Sequence, residues 1–248
     1  MTARPTALDP ALDPDLVLRA YAMGMFPMAD SHDAESVFWV DPKLRAVLPI
    51  DGFHLSRSLG RTLRRGRFRI TADTAFEAII DLCAEAAEDR PETWINPLIR
   101  AVFVTLHQRG FAHSVEVWDG ERLAGGLYGL ALGRAFFGES MVSRARDASK
   151  VAIAALVARL RVGGFALLDC QFQTDHLASL GAVEIARRDY VALLGAALGA
   201  SVGGLAAGAP EVEGDFFALD RLLSSPPSET VSGPAAGYVI AQLLAQTS

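Results

Sequence analysis

The sequence predicts an α+β fold, with one largely antiparallel sheet and helices packed against it. Three observations carry that expectation. Apolar spacing changes from a helical period to strict alternation after Gly110. Consecutive strand-like runs then give way to a helix, a further strand and another helix. And 248 residues, 51% hydrophobic and 21% charged, supply a large core and exclude a disordered chain. Folding at this length buries roughly 70–75% of the extended surface, so neither disulfide nor metal is needed for stability.

Asp15 is the expected N-cap of a helix over Leu16–Met25, which Gly24 and Pro27 end. Trp39-Val-Asp-Pro42 marks the turn out of a short extended piece. Ser56 is the next expected cap, with Leu55 before it as a staple residue. Leu55, Leu59 and Leu63 share one face of that helix, and Arg57, Arg61, Arg64 and Arg65 lie opposite. Phe68–Thr71 reads as a strand. Asp73 is expected to cap a helix over Thr74–Glu88 with Phe76, Ile79, Ile80 and Cys83 as its apolar stripe. A further helix, Asn96–Arg109, stops at Gly110.

Ser114–Trp118 and Leu123–Leu132 read as strands joined by a turn at Asp119-Gly120. Gly133 turns the chain into a third strand through Phe136 and Phe137. A helix over Ala148–Val162 ends at Gly163-Gly164, followed by a buried strand Ala166–Gln171 and a helix His176–Leu180. Beyond Tyr190 the chain is Gly/Ala-rich, then Ser/Pro-rich, and closes on an amphipathic Tyr238–Leu244. The uncharged stretch Val191–Pro210 imitates a membrane span. Its Ala and Gly content gives little drive for insertion, so a short surface helix running into a linker is expected.

The net charge of −6 argues against a nucleic-acid partner until it is read by position. His54–Ile70 holds six arginines and no acid, leaving −12 for the rest of the chain. One localised face can therefore attract phosphate. Cys83 and Cys170 form no disulfide framework, and the start of the chain has no apolar secretion segment, which predicts a cytoplasmic setting.

Asp169-Cys170-Gln171 is the strongest chemical signal, because a carboxylate within an apolar strand is costly unless it is hydrogen-bonded or used. Alternation places Asp169 and Gln171 on one face and Cys170 in the core. A buried Asp that fixes a neighbouring loop is an equal reading. Glu139, beside Phe136, Phe137 and Met141, reads by pattern as a solvated loop carboxylate rather than an acid at a pocket rim. No serine-nucleophile elbow is present, and His107, His113 and His176 read as core or capping residues rather than metal ligands. Gly125-Gly126-Leu127-Tyr128-Gly129 lies within strands, where close backbone approach explains it better than phosphate binding.

Taken together, Gly24-Met-Phe-Pro27, Phe53–Ser58, Thr93-Trp-Ile95, His113–Trp118, Gly125–Gly129, Gly138-Glu-Ser-Met141, Ala148-Ser-Lys150, Asp169-Cys-Gln171 and His176 with Ala178–Ala182 resemble the leucyl/phenylalanyl-tRNA–protein transferase family. The likeness runs from about Asp15 to Tyr190. It implies a small N-terminal domain (1–43), a GNAT-like domain with a mixed, mainly antiparallel sheet (44–190), and here an acidic C-terminal extension (191–248). The implied activity is transfer of Leu or Phe, and Met less well, from Leu-tRNA or Phe-tRNA to proteins beginning with Arg or Lys, which marks them for degradation. No cofactor, metal or membrane is implied, and a monomer is expected. By position, Leu127, Phe136, Met141, Leu156 and Leu160 would form the side-chain pocket and Trp94 would stack on the terminal adenosine. Glu139 and Gln171 would hold substrate amino groups, with Asp169 orienting Gln171. Arg57, Arg61, Arg64 and Arg65 would meet the tRNA. Met28, Val40 and Phe103 depart from the family's frequent Trp, Trp and Tyr. Acyl-CoA transfer on the same fold is disfavoured by the missing pyrophosphate loop. A non-catalytic tRNA-binding module is disfavoured by the buried Asp169/Gln171 pair.

Overall fold

The computed structural model describes residues 12–85, 93–199, 213–224 and 236–245. The first helix, α1 (Pro14–Ala22), is capped by Asp13, whose carboxylate accepts from the Asp15 backbone N–H at 2.9 Å. Asp15, the expected cap, is displaced into the first turn because Pro14 takes the first helical position, where its missing N–H costs nothing. Strands β1 (Phe26–Met28) and β2 (Phe38–Val40) pair only with each other. The chain then enters the main sheet as β3 (Leu44–Val47) and reaches α2 (Arg57–Arg64) through a 3-10 turn at Ile50–Gly52. Ser56 caps α2 as expected, accepting from the Leu59 N–H at 3.2 Å.

After β4 (Arg69–Ala72) the expected cap fails. Asp73 adopts φ +56°, and its carboxylate bonds the Ser114 N–H and His113 Nδ1, both at 2.7 Å. The start of α3 (Phe76–Ala84) is served instead by buried Glu116. It accepts from the Thr71 and Thr74 hydroxyls at 2.5 and 3.0 Å and from the Ala75 N–H at 3.4 Å. The expected end of this helix, Glu88, lies outside the described residues. Helix α4 (Pro97–Gln108) is capped by Asn96, whose amide also donates to Ala34 O and anchors the N-terminal segment.

Strands β5 (Ala112–Asp119), β6 (Arg122–Leu132) and β7 (Ala135–Ser143) form an antiparallel meander. The β5–β6 loop is Gly120-Glu121, with Gly120 at φ +62°. Helix α5 (Ala148–Val162) crosses over to β8 (Leu167–Gln171), which runs parallel to β7. Then follow α6 (Asp175–Ala178), β9 (Val183–Ala186) and α7 (Arg187–Ala197), and later α8 (Ala218–Ser224) and α9 (Ala236–Ala245). The sheet order is β4-β5-β6-β7-β8-β3-β9, and among the described residues β7–β8 is its one parallel pair.

Helices cover both faces. Phe136 and Phe137 show the division, since alternation sends Phe136 to the core under α2, α5 and α9 and Phe137 to the core under α1, α3, α4 and α7. Close approach explains the glycines of β6: a Cβ on Gly126 would stand 2.5 Å from Val115 O. The membrane-like stretch begins within α7, which buries Tyr190, Leu194 and Ala197 against the second core. Its residues 200–210 lie outside the described residues, and among those described no helix is long and apolar enough to cross a membrane.

Candidate active site

The site forms where the parallel pair separates. Pairing of β7 with β8 runs from Ala135↔Leu167 to Phe137↔Asp169 and stops there. Beyond that point both strands leave regular geometry. In the β6–β7 register Tyr128 faces Ser140 and Gly129 faces Gly138, so Glu139 is an extra, bulged residue. In the β3–β8 register Val47 faces Asp169 and Ala46 faces Gln171, so Cys170 is a second bulge. Gln171 then takes φ +63°, a left-handed conformation that is uncommon for a residue with a side chain. Bulges re-aim side chains. Here they bring Glu139 and Gln171 together, and Gln171 Nε2 donates to Glu139 Oε1 at 2.9 Å.

These two polar groups line a cavity of about 650 Å³. Its apolar wall includes Leu127, Met141, Ile153, Leu156 and Leu168, and Trp94 also borders it. Of the five residues expected to form the pocket, Leu127, Met141 and Leu156 line it. Phe136 and Leu160 are fully buried behind the wall, with Phe136 stacked on Phe216 at 5.7 Å. Leu156 and Leu160 share a helix face, but only the upper turn reaches the cavity.

Burial dominates the electrostatics. Glu139 is pushed up to about 8, chiefly by burial and also by the nearby Asp169 charge, against the opposing bonds from Tyr21 and Gln171. Its Oε2 is buried without a hydrogen-bond partner of ordinary geometry, as is the Tyr21 hydroxyl. The solvated loop carboxylate read from the pattern is therefore a desolvated acid. Cys170 packs against the core that holds Leu168 and Phe136, as alternation gave it, and also borders the cavity; it is Gln171 that leaves the face of Asp169 to join it there. Burial, with the Asp169 charge, raises the Cys170 thiol far above the usual range. A thiol held protonated is a poor nucleophile.

Asp169 does not border the cavity. It is fully buried and saturated: Arg45 Nε donates to its two oxygens at 2.9 and 3.0 Å, and Arg45 Nη2 to Oδ2 at 2.6 Å. The Tyr190 hydroxyl donates to Oδ2 at 2.8 Å and the Gln171 backbone N–H to Oδ1 at 2.8 Å. Arg45, 1% exposed, lies between the rings of Phe26 and Tyr190, 4.6 Å from each centroid, and gives Nη1 to Gly24 O. Arg45 and Tyr190 went unnoticed in the sequence. The available signal was the charge itself, because a buried Asp requires a cation or several donors.

The arginines of α2 are exposed, and among the described residues none of Arg57, Arg61, Arg64 and Arg65 is paired with a carboxylate. Arg61 and Arg65 join Arg67 and Arg146 around a separate recess of about 400 Å³. The three histidines are dispersed. His107 bonds Ala112 O and stacks on Phe76, His113 meets Asp73, and His176 borders the cavity with its proton affinity lowered by burial and by Lys150.

A family model described as leucyl/phenylalanyl-tRNA protein transferase matches residues 47–195, and one described as the N-terminal domain of that family matches residues 11–43. The chain is 59% identical over 246 residues to the leucyl/phenylalanyl-tRNA–protein transferase of Rhizorhabdus wittichii, covering 96% of this chain and 99% of that protein. It is 57% identical over 211 residues to the protein of the same name from Zymomonas mobilis, covering 85% of this chain and 76% of the relative. With that of Novosphingobium aromaticivorans it shares 51% over 256 residues, 96% and 97% of the two chains. With a family model over residues 47–195 and two relatives matched along nearly their whole length, the chain belongs to the leucyl/phenylalanyl-tRNA–protein transferase family of aminoacyltransferases.

Proposed function

We propose that this enzyme moves Leu or Phe, and Met less well, from aminoacyl-tRNA to the N-terminal Arg or Lys of acceptor proteins in the cytoplasm, marking them for degradation. The observation that carries the reading is the Glu139–Gln171 pair bordering an apolar cavity. The wall of Leu127, Met141 and Leu156 takes the transferred side chain, and Trp94 stacks on the terminal adenosine. The arginine face of α2 takes tRNA phosphates.

The reaction is aminolysis of an ester. The acceptor α-amine attacks the aminoacyl carbonyl, the C–N bond forms, the ester C–O bond breaks, and the tRNA 3′ oxygen leaves with a proton. A free α-amine has a pKa of about 7.7–8.0, so a minority is already neutral at pH 7 and modest base assistance suffices. Glu139, with its pKa raised to about 8, is matched to that proton, and the bonds from Tyr21 and Gln171 hold its carboxyl in place. The Gln171 amide commits its NH₂ to Glu139, which leaves its oxygen to accept from the substrate ammonium. Asp169 acts at one remove, fixing the Gln171 backbone. Much of the acceleration comes from holding amine and ester together.

The test is transfer of labelled Leu from Leu-tRNA to a protein beginning with Arg, beside the same protein beginning with Asp. Selective labelling of the Arg form is expected. Equal labelling of both would remove the acceptor assignment, and labelling of neither would remove the reaction.

A further inference from the structure

The C-terminal extension buries itself against the helix that carries the arginine face. Helix α9 buries Gly237, Ile240, Ala241 and Leu244 in the core shared by α2, α5 and β4. At Gly237 the contact with α2 is backbone to backbone, since a Cβ there would stand 2.6 Å from Leu63 O. Arg161 of α5 ties the far end of α9 to the approach to α2. Its Nη1 donates to Leu243 O and its Nη2 to Ile50 O, each at 2.7 Å.

Helix α2 has eight residues, too few to hold its own geometry without packing. Its inner residues Leu59 and Leu63 are buried, and α9 is its principal helical neighbour. Meanwhile α9 begins some forty residues beyond the last position matched by the family model, residue 195. The extension thus forms the floor on which the arginines stand.

We propose that α9 is a positioning element for the donor: its packing through Gly237 sets the pose of Arg57, Arg61, Arg64 and Arg65, and so the affinity for the tRNA body. The chemistry at Glu139 and Gln171 does not depend on it. This rests on the reading of α2 as a tRNA-binding face.

The test compares two donors in the full chain, intact Leu-tRNA and a short 3′-leucylated oligonucleotide that ends in the same adenosine and cannot reach α2. Gly237→Ala and the larger Gly237→Val push α9 away from Leu63. The expected result is a KM for Leu-tRNA raised roughly tenfold with kcat retained, as for loss of one or two phosphate contacts. Transfer from the short donor is expected to match wild type, which also verifies folding. In an Arg61→Ala/Arg64→Ala background, adding Gly237→Val should raise KM little further. If both donors lose activity in parallel, or neither changes, the positioning role is overturned. If the arginine pair alone leaves the KM for Leu-tRNA unchanged, it is the tRNA-binding reading of α2 that fails.

Discussion

Asp169 accepts a hydrogen bond from the backbone N–H of Gln171, at 2.8 Å, while the Gln171 side-chain amide donates to Glu139. The carboxylate therefore holds Gln171, the residue proposed to meet substrate, in its left-handed conformation, and does not touch its side-chain amide. Two effects follow from one ion pair, stability through Arg45 and placement through Gln171. They are separable.

Removing one partner of a buried pair strands the other. Arg45→Met is expected to destabilise the protein by about 3–5 kcal/mol in urea unfolding. Arg45→Met combined with Asp169→Leu should recover much of that loss, because no bare charge remains. Transfer activity should stay low in the double variant, since the Gln171 N–H has lost its acceptor. Recovery of stability and activity together would show that Asp169 has no role beyond its charge balance.

Glu139 gives the pH dependence. Its folded affinity, about 8, lies above the ordinary carboxylate value. The group binds a proton more tightly in the folded chain. Its contribution to stability is complete in acid and is lost as pH rises toward about 8, on the order of a few kcal/mol across that window. Melting curves of Glu139→Gln should therefore show less loss of stability between pH 5 and 8 than wild type, where those pH values bracket the shift. If ionised Glu139 takes the amine proton, kcat of the wild type rises through pH ~8 and the variant loses that step.

Pocket and core residues on one helix should behave differently. Leu156 borders the cavity, whereas Leu160, one turn on, lies behind it. Leu156→Ala enlarges the pocket and should shift the ratio of kcat/KM for Phe-tRNA over Leu-tRNA toward Phe, by roughly tenfold or more. Leu160→Ala should leave that ratio unchanged and lower stability by about 2–5 kcal/mol.

The arginine face predicts salt dependence. Arg61→Ala/Arg64→Ala should weaken tRNA binding and flatten the plot of log affinity against log salt by about 0.9 per lost duplex contact. Fluorescence titration between 50 and 200 mM salt, the range over which such contacts are roughly most telling, measures it.

Much of the fold was legible because its signals are local. Gly163-Gly164 bounded α5, Ser56 capped α2, and period-2 spacing marked the meander. The misplaced caps are instructive. Pro14 moved the first cap to Asp13, and Asp73 was drawn away by His113 and Ser114, forty residues distant in sequence. Several residues that border the cavity were named from the sequence, but its geometry was not. Alternation put Gln171 on the face of Asp169, and no spacing rule announces that a bulge at Cys170 and another at Glu139 will turn Gln171 and Glu139 toward one cavity. Arg45 was hidden by distance, since 124 positions separate it from Asp169. The extension read as a linker with an amphipathic end, and only packing reveals that this end lies beneath α2.

Gln171, aimed by its backbone and held by Glu139, is proposed to meet the reacting amine. The decisive experiment is single-turnover transfer of Leu from saturating Leu-tRNA to an Arg-initiated acceptor, with Gln171→Ala beside wild type. A rate lower by roughly 10²–10³-fold at unchanged affinity for the donor is expected. A wild-type rate in that variant would contradict it.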